Sequence, residues 1–393
     1  MFMAWFGFIV SLATIVIVAR KNLALALAGG AVVLGLFTMP ILEVTHQILR
    51  TVSDFSIIWL ALAMGMIPIL GGIMIENGQI ESLVQNVRIK KRYLLAFAAA
   101  GMGLLPMPGG ALLSAPILEQ VGPNVPNDIK AAVNNWFRHL FILIYPLSSA
   151  LIVAAKIAEL DVYVAILYLL PIGLIAALLG YILFLRNIHG TTKYHKPFSW
   201  RGLIVPLTVI LSAPVIDFSL KRIFSIGTFA TLTGVATGLI LAIILGEKRV
   251  DIAGVVSKTR PWNFALIIPG MFLYLYIFQE SNARDIIATI PLPPLILALT
   301  GGFILAVATG RVQLPASIVL PVYLATGEPM TPFIFAMIYV ATFFGYIGSP
   351  VHPCLIVSCE YFHVSVTRMV RNLAVPTLVI ILLVLIAAWI TLL

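Results

Sequence analysis

Charge is what this sequence has least of. Lysine, arginine, aspartate and glutamate make up 10% of its 393 residues. A chain that poor in charge is not a solvated, disordered segment, and its 61% hydrophobic content and mean hydropathy of +1.09 point to the membrane. Cysteine is nearly missing as well. Cys354 and Cys359 lie in one apolar stretch without a second pair, so neither a disulfide framework nor a zinc-finger spacing follows. His46, His189, His195 and His363 fall in loops or at their edges. No two histidines have helical metal-ligand spacing, and no metal site is expected. Carboxylates are missing from the centre of every expected span, which leaves proton coupling to His352 alone.

What is present is a succession of apolar runs of about 20 residues, each long enough for a hydrocarbon core of roughly 30 Å. They are continuous rather than alternating, which excludes a β-barrel. The expected fold is an all-α polytopic membrane protein, multi-pass in the cell membrane. The first run, 2–18, lacks a basic leader and is followed by Arg20 and Lys21, so it is expected to be a retained span. The net charge of +9 is scattered over short loops. That pattern orients a protein in the bilayer and gives no reason to expect nucleic acid as a partner.

One stretch breaks the apolar pattern. Leu105–Pro116 reads Leu-Pro-Met-Pro-Gly-Gly-Ala-Leu-Leu-Ser-Ala-Pro. Its prolines and glycines forbid a continuous helix, and such backbone is tolerated at membrane depth only inside protein or along a watery cavity. A re-entrant hairpin over about 93–121 is expected, with its tip at a binding site. The other spans are expected at 2–18, 23–40, 55–75, 135–156 and 162–185. After a polar linker they resume at 202–216, 226–246 and 264–279, then a second hairpin at 290–326, then 331–357 and 372–392.

The two series match. Gly65 and Met66 return as Gly270 and Met271, Asn77 as Asn282, Pro116 as Pro321, Pro146 as Pro350 and Pro171 as Pro376, at an offset of about 205 residues. The first repeat is 1–187, the linker 188–201 and the second repeat 202–393. Each holds five crossings plus one hairpin that returns to its own side, so the second enters the membrane upside down. With both termini outside, lysine and arginine favour the cytoplasmic loops by roughly three to one. Two inverted repeats, N-out and C-out, are therefore expected.

Polar residues collect at the breaks. Tyr145-Pro146-Leu147-Ser148-Ser149 interrupts one span, and Gly345 to Cys354, with Ser349 and His352, interrupts its partner. Half-helix N-termini attract anions and C-termini attract cations such as Na+. Gly109, Gly110 and Ser114 lie at the first hairpin, and Arg311, Gln313 and Ser317 at the second. Arg311 either binds a carboxylate or phosphate with its planar fork, or snorkels to an interface or pairs with a structural carboxylate. His352 either carries a proton or bonds a freed carbonyl. The serines either bind substrate or an ion, or satisfy their own broken backbone. Arg138 and His139, placed where a span is expected to start, read as an interface anchor before a ligand.

Together these features point to a secondary transporter of a small organic anion, coupled to Na+ or H+, with no other cofactor. The alternative is an intramembrane enzyme acting on a lipid-like substrate, with Ser114 and a histidine as nucleophile and base. No nucleophile motif surrounds those serines.

Hairpin, broken helix and inverted repeat together resemble the ion transporter superfamily of gluconate, citrate and dicarboxylate carriers. Within it, Leu105–Pro116 and Asn134–His139 are similar to the DUF401 membrane proteins. The resemblance implies a homodimer whose hairpins and broken helices form a transport domain moving elevator-fashion against a scaffold. In the dicarboxylate branch, paired Ser-Asn-Thr motifs at the hairpin tips bind sodium and carboxylate. Here Pro108-Gly109-Gly110 and Gln313-Leu314-Pro315 stand instead.

Overall fold

Proline, glycine and a few short polar side chains cut the apolar runs into helices. Asn22, Asp54, Asp161, Ser199, Thr331 and Ser365 each cap a helix by accepting a hydrogen bond from a backbone N–H two or three residues on. Pro294, Pro332 and Pro353 open helices at the first position, where a missing N–H costs nothing. The structure, a computed structural model, describes residues 2–104, 110–192, 194, 197–282 and 290–393. Among these residues every regular element is helical.

The first half comprises α1 (Phe2–Ala19), α2 (Leu23–Thr38), α3 (Ile41–Ser53), α4 (Phe55–Glu76), α5 (Gln79–Asn86), α6 (Lys91–Gly103), α7 (Gly110–Val121), α8 (Asn127–Ile144), α9 (Ser149–Ile157) and α10 (Val162–Gly180), which runs on as a π turn to Leu185. The second half comprises α11 (Trp200–Phe224), α12 (Thr228–Ile244), α13 (Ile252–Thr259), α14 (Trp262–Ala265), α15 (Ile267–Glu280), α16 (Pro294–Thr309), α17 (Gln313–Ala325), α18 (Pro332–Ile347), α19 (Pro353–Tyr361) and α20 (Val366–Leu392). Among the described residues, five segments are long and apolar enough to cross a membrane: α4, α10 with its π turn, α11, Trp262–Glu280 and α20. The α8–α9 pair makes a sixth, bent by 41°. Helices α2, α12, α16, α17 and α18 are apolar but shorter.

The packing pairs elements across the halves. Helix α1 lies on α2 and α11 on α12, while α2 packs on α15 and α12 on α4. Likewise α6 contacts α7 and α8 as α16 contacts α17 and α18, and α7 meets α19 as α17 meets α9. One large buried cluster runs through both halves, from Ala4 to Ala388.

Three expectations change. The span expected from 135 starts at Asn127 instead, because the charges that suggested a loop are neutralised by packing. Lys130 is buried with its ammonium 2.5 Å from Glu119 and over the Phe362 ring, and Asp128 pairs with Arg368. The span expected to end at 216 continues to Phe224 and takes Asp217 inside it. There the buried carboxylate accepts hydrogen bonds from Tyr163, Thr231 and Lys221, at 2.6, 2.7 and 3.0 Å. The interval between the second and third spans holds α3, an amphipathic helix that buries Val44, Gln47 and Thr51. The tip residues 105–109 of the first expected hairpin lie outside the described residues.

Candidate functional site

The longer α8 changes what its polar residues do. Arg138 follows the helix start by eleven positions, roughly 16 Å at the helical rise. It is 3% exposed and is not the interface anchor expected from the sequence. Asn134, Asn135, Arg138 and His139 occupy i and i+4 positions, so α8 carries a buried polar stripe.

Each part of the stripe has its task. Asn134 accepts from Ser114 at 2.5 Å and donates to the Ala111 carbonyl and to Ser358, tying α7 and α19 to α8. Asn135 donates to the Ile347 carbonyl at the end of α18, at 3.2 Å. His139 Nδ1 lies 2.5 Å from the Asn135 carbonyl and Nε2 3.0 Å from the Tyr346 hydroxyl. With Nδ1–H donating to the carbonyl, Nε2 is left to accept from the tyrosine. Arg138 has a buried Nη1 with no hydrogen-bond partner, and forms no ion pair among the described residues.

Helix α8 ends at Tyr145, and α9 begins after the N-cap residue Ser148. On the other side α18 ends at Ile347, and α19 begins after His352. Neither Ser148 nor His352 caps its helix with its side chain. The first-turn N–H groups of α9, and those of α19 after Pro353, are thus left to other acceptors. The two breaks face a cavity of about 200 Å³ that Gly103, Arg138, His139, Tyr145, Ser148, Ser149, Gln313, Tyr346 and Cys354 help to line.

Backbone contact holds the tips against the breaks. A Cβ on Gly103 would come 2.0 Å from the Arg138 carbonyl oxygen. Gly310, at φ +61°, closes the turn between α16 and α17, and a Cβ there would lie 2.8 Å from the Val351 oxygen and 2.9 Å from the His352 nitrogen.

The residues singled out from sequence divide accordingly. Ser148, Ser149 and Gln313 line the cavity, and Gln313 Nε2 lies 3.5 Å from Ser149 Oγ. Arg311 is half-buried beside Gly310, outside the cavity lining. Ser114 belongs to the Asn134 network. Ser317 donates to the Leu314 carbonyl of its own helix. Ser349 braces its break, donating to the Val307 carbonyl at 2.6 Å and accepting from the Val351 N–H at 3.2 Å. His352 is fully buried behind the cavity wall, its ring 4.0 Å from that of Tyr346 and 4.7 Å from that of His139. Gly110 opens α7, and Gly109 lies outside the described residues. Sequence reasoning does not single out Asn135, Tyr346 or Cys354 as site residues and reads Arg138 and His139 as an interface anchor before a ligand; the i, i+4 polar stripe of 134–139 is the signal that could have placed them.

Residues 4–392 match the family described as "Protein of unknown function (DUF401)". A comparison with curated proteins finds no match. Among solved structures the chain is similar to the YdaH transporter of Alcanivorax borkumensis, whose topology is described as unusual. The two share a TM-score of 0.53 and 12% identity, over 94% of this chain and 97% of that one. At that identity the likeness is one of fold alone, an all-helical arrangement.

Proposed function

This chain belongs to the DUF401 family, and we propose that it is an ion-coupled secondary transporter of a small, carboxylate-like organic anion. The observation that carries this is Arg138, a buried guanidinium with a free Nη1 on the wall of a 200 Å³ cavity. A buried charge without a counter-charge is costly, and an incoming anion supplies the missing one. A guanidinium is also the side chain best shaped to hold a carboxylate by two parallel bonds. The first-turn amides of α9, and those that follow Pro353 in α19, add donors at helix N-termini beside the same space. The likeness in fold to a protein described as a transporter supports the same reading.

The finer features belong to this proposal. The pairs α6–α7 and α16–α17 are re-entrant hairpins of two inverted repeats, with both termini outside. Together with the broken helices they form a transport domain that moves elevator-fashion in a homodimer. Coupling is to Na+ at the carbonyl ends of the breaks or to H+ through the edge-to-face pair His139 and His352.

The test is thermal unfolding of the purified full chain against a panel of organic anions, in sodium and in choline buffer at two pH values. A ligand that binds only the folded state raises the melting temperature, by about 2.7 kcal/mol of stabilisation at a hundred times Kd. Arg138→Gln is expected to remove the shift, weakening the anion by roughly 10- to 100-fold, the worth of a charge-assisted hydrogen bond. An unchanged shift in that variant sinks the reading.

A further inference from the structure

Three metal-ligating side chains meet at the wall of this cavity. His139 comes from α8, His352 stands at the start of α19, and Cys354 lies in the first turn of α19. One ligand atom from each falls within 4.8 Å of the other two. We propose that His139, His352 and Cys354 form a nitrogen–nitrogen–sulfur site for a borderline transition-metal ion of the zinc class, open on its fourth side to the cavity. The inference adds a cation to the site and does not depend on which anion the cavity takes.

The second shell is already in place for His139. Its Nδ1 is held by the Asn135 carbonyl, so Nε2 carries the lone pair and points at Tyr346. A carbonyl on one ring nitrogen is how metal-bound imidazoles are usually oriented, and a metal at Nε2 takes the lone pair that now accepts from the Tyr346 hydroxyl. His352 adds a stronger indication. It is fully buried, and among the described residues neither ring nitrogen makes a well-formed hydrogen bond, although the Ile347 carbonyl lies close by. A buried imidazole in that state forfeits two hydrogen bonds unless something else takes its lone pair. Cys354 is free of any disulfide and its side chain reaches the cavity.

Donor identity sets the class of ion. Two imidazoles and a thiolate suit zinc, copper or cobalt and are poor ligands for Na+, Mg2+ or Ca2+. Zinc–nitrogen and zinc–sulfur bonds place tetrahedral donors roughly 3.3–3.8 Å apart, so the three atoms close by about 1 Å on binding. Binding exchanges the Cys354 proton, released to solvent, for the metal. The guanidinium of Arg138 lies within hydrogen-bonding reach of the sulfur. A divalent ion plus a thiolate leaves one positive charge, to which Arg138 adds another. The open fourth position is therefore an anion's.

The test uses the full chain in detergent, stripped of metal and titrated with Co2+ alone. The expected result is one equivalent bound, with visible ligand-field bands and a near-ultraviolet thiolate-to-cobalt band. Cys354→Ser is expected to lose the thiolate band, Cys359→Ser to keep it, and His352→Gln to weaken binding by at least about tenfold. Absence of the thiolate band in the wild type overturns the proposal, as does its persistence in Cys354→Ser. The wild-type titration decides even if a variant fails to fold. Anion-induced melting shifts in metal-free buffer are read separately, so the metal site and the anion reading fail independently.

Discussion

At the scale of single residues, neutralisation decides what sits inside. Lys130 enters the protein because Glu119 and the Phe362 ring receive it, and that lets α8 carry Arg138 deep into the fold. Asp217 is buried because three donors surround it. Asp217→Ala is expected to lower stability by about 2–4 kcal/mol, since it strands the donors of Lys221 and Thr231. Tyr163→Phe removes one hydrogen bond and costs about 1 kcal/mol. Because the residues touch, their double variant should cost less than the sum, as chemical unfolding of the three variants would read. Strict additivity would mean that Tyr163 and Asp217 act separately. Such pairings were invisible in the sequence. Lys130 and Asp128 fall in an expected loop; the partner of Lys130 lies on the neighbouring α7 and that of Asp128 on α20, 240 residues on.

At the scale of elements, proline and glycine were legible and short amphipathic helices were not. Both breaks were expected from Pro146 and from the run Gly345 to Pro353, and α8–α9 and α18–α19 part there. Helices α3, α5 and α13 were missed because they are too short and too mixed in polarity to read as spans. The tip of the second helix pair turns on Gly310. Gly310→Ala is expected to destabilise the protein by about 1–3 kcal/mol, because a left-handed residue with a Cβ is strained and that Cβ meets backbone rather than a yielding side chain. A melting temperature equal to the wild type would show that the α17 tip and the α18–α19 break are not pressed together. Gly301→Ala, where a Cβ meets only Val319 at 3.7 Å, is the control and should change little.

At the scale of the whole molecule, α2 packs on α15 and α12 on α4. The proposed opposed insertion of the halves makes its own prediction. In a background with Cys354 and Cys359 replaced by serine, single cysteines at Arg88 and Lys248 should be labelled from one face of sealed vesicles. A cysteine at Arg222 should be labelled from the other. Labelling of all three from one face would refute the inverted arrangement.

The interleaving of the halves also bears on how the protein is made. His139 is synthesised early, while its companions His352 and Cys354 emerge close to the end of the chain. Until then Arg138 and the polar stripe of α8 have no second wall to close against. Nascent chains that stop before α18 should thus hold an unsheltered charge within the bilayer and be prime targets for membrane quality control. A ribosome-released fragment ending near residue 330 is expected to be degraded faster than the complete chain, and co-synthesis of the missing C-terminal piece should restore its lifetime.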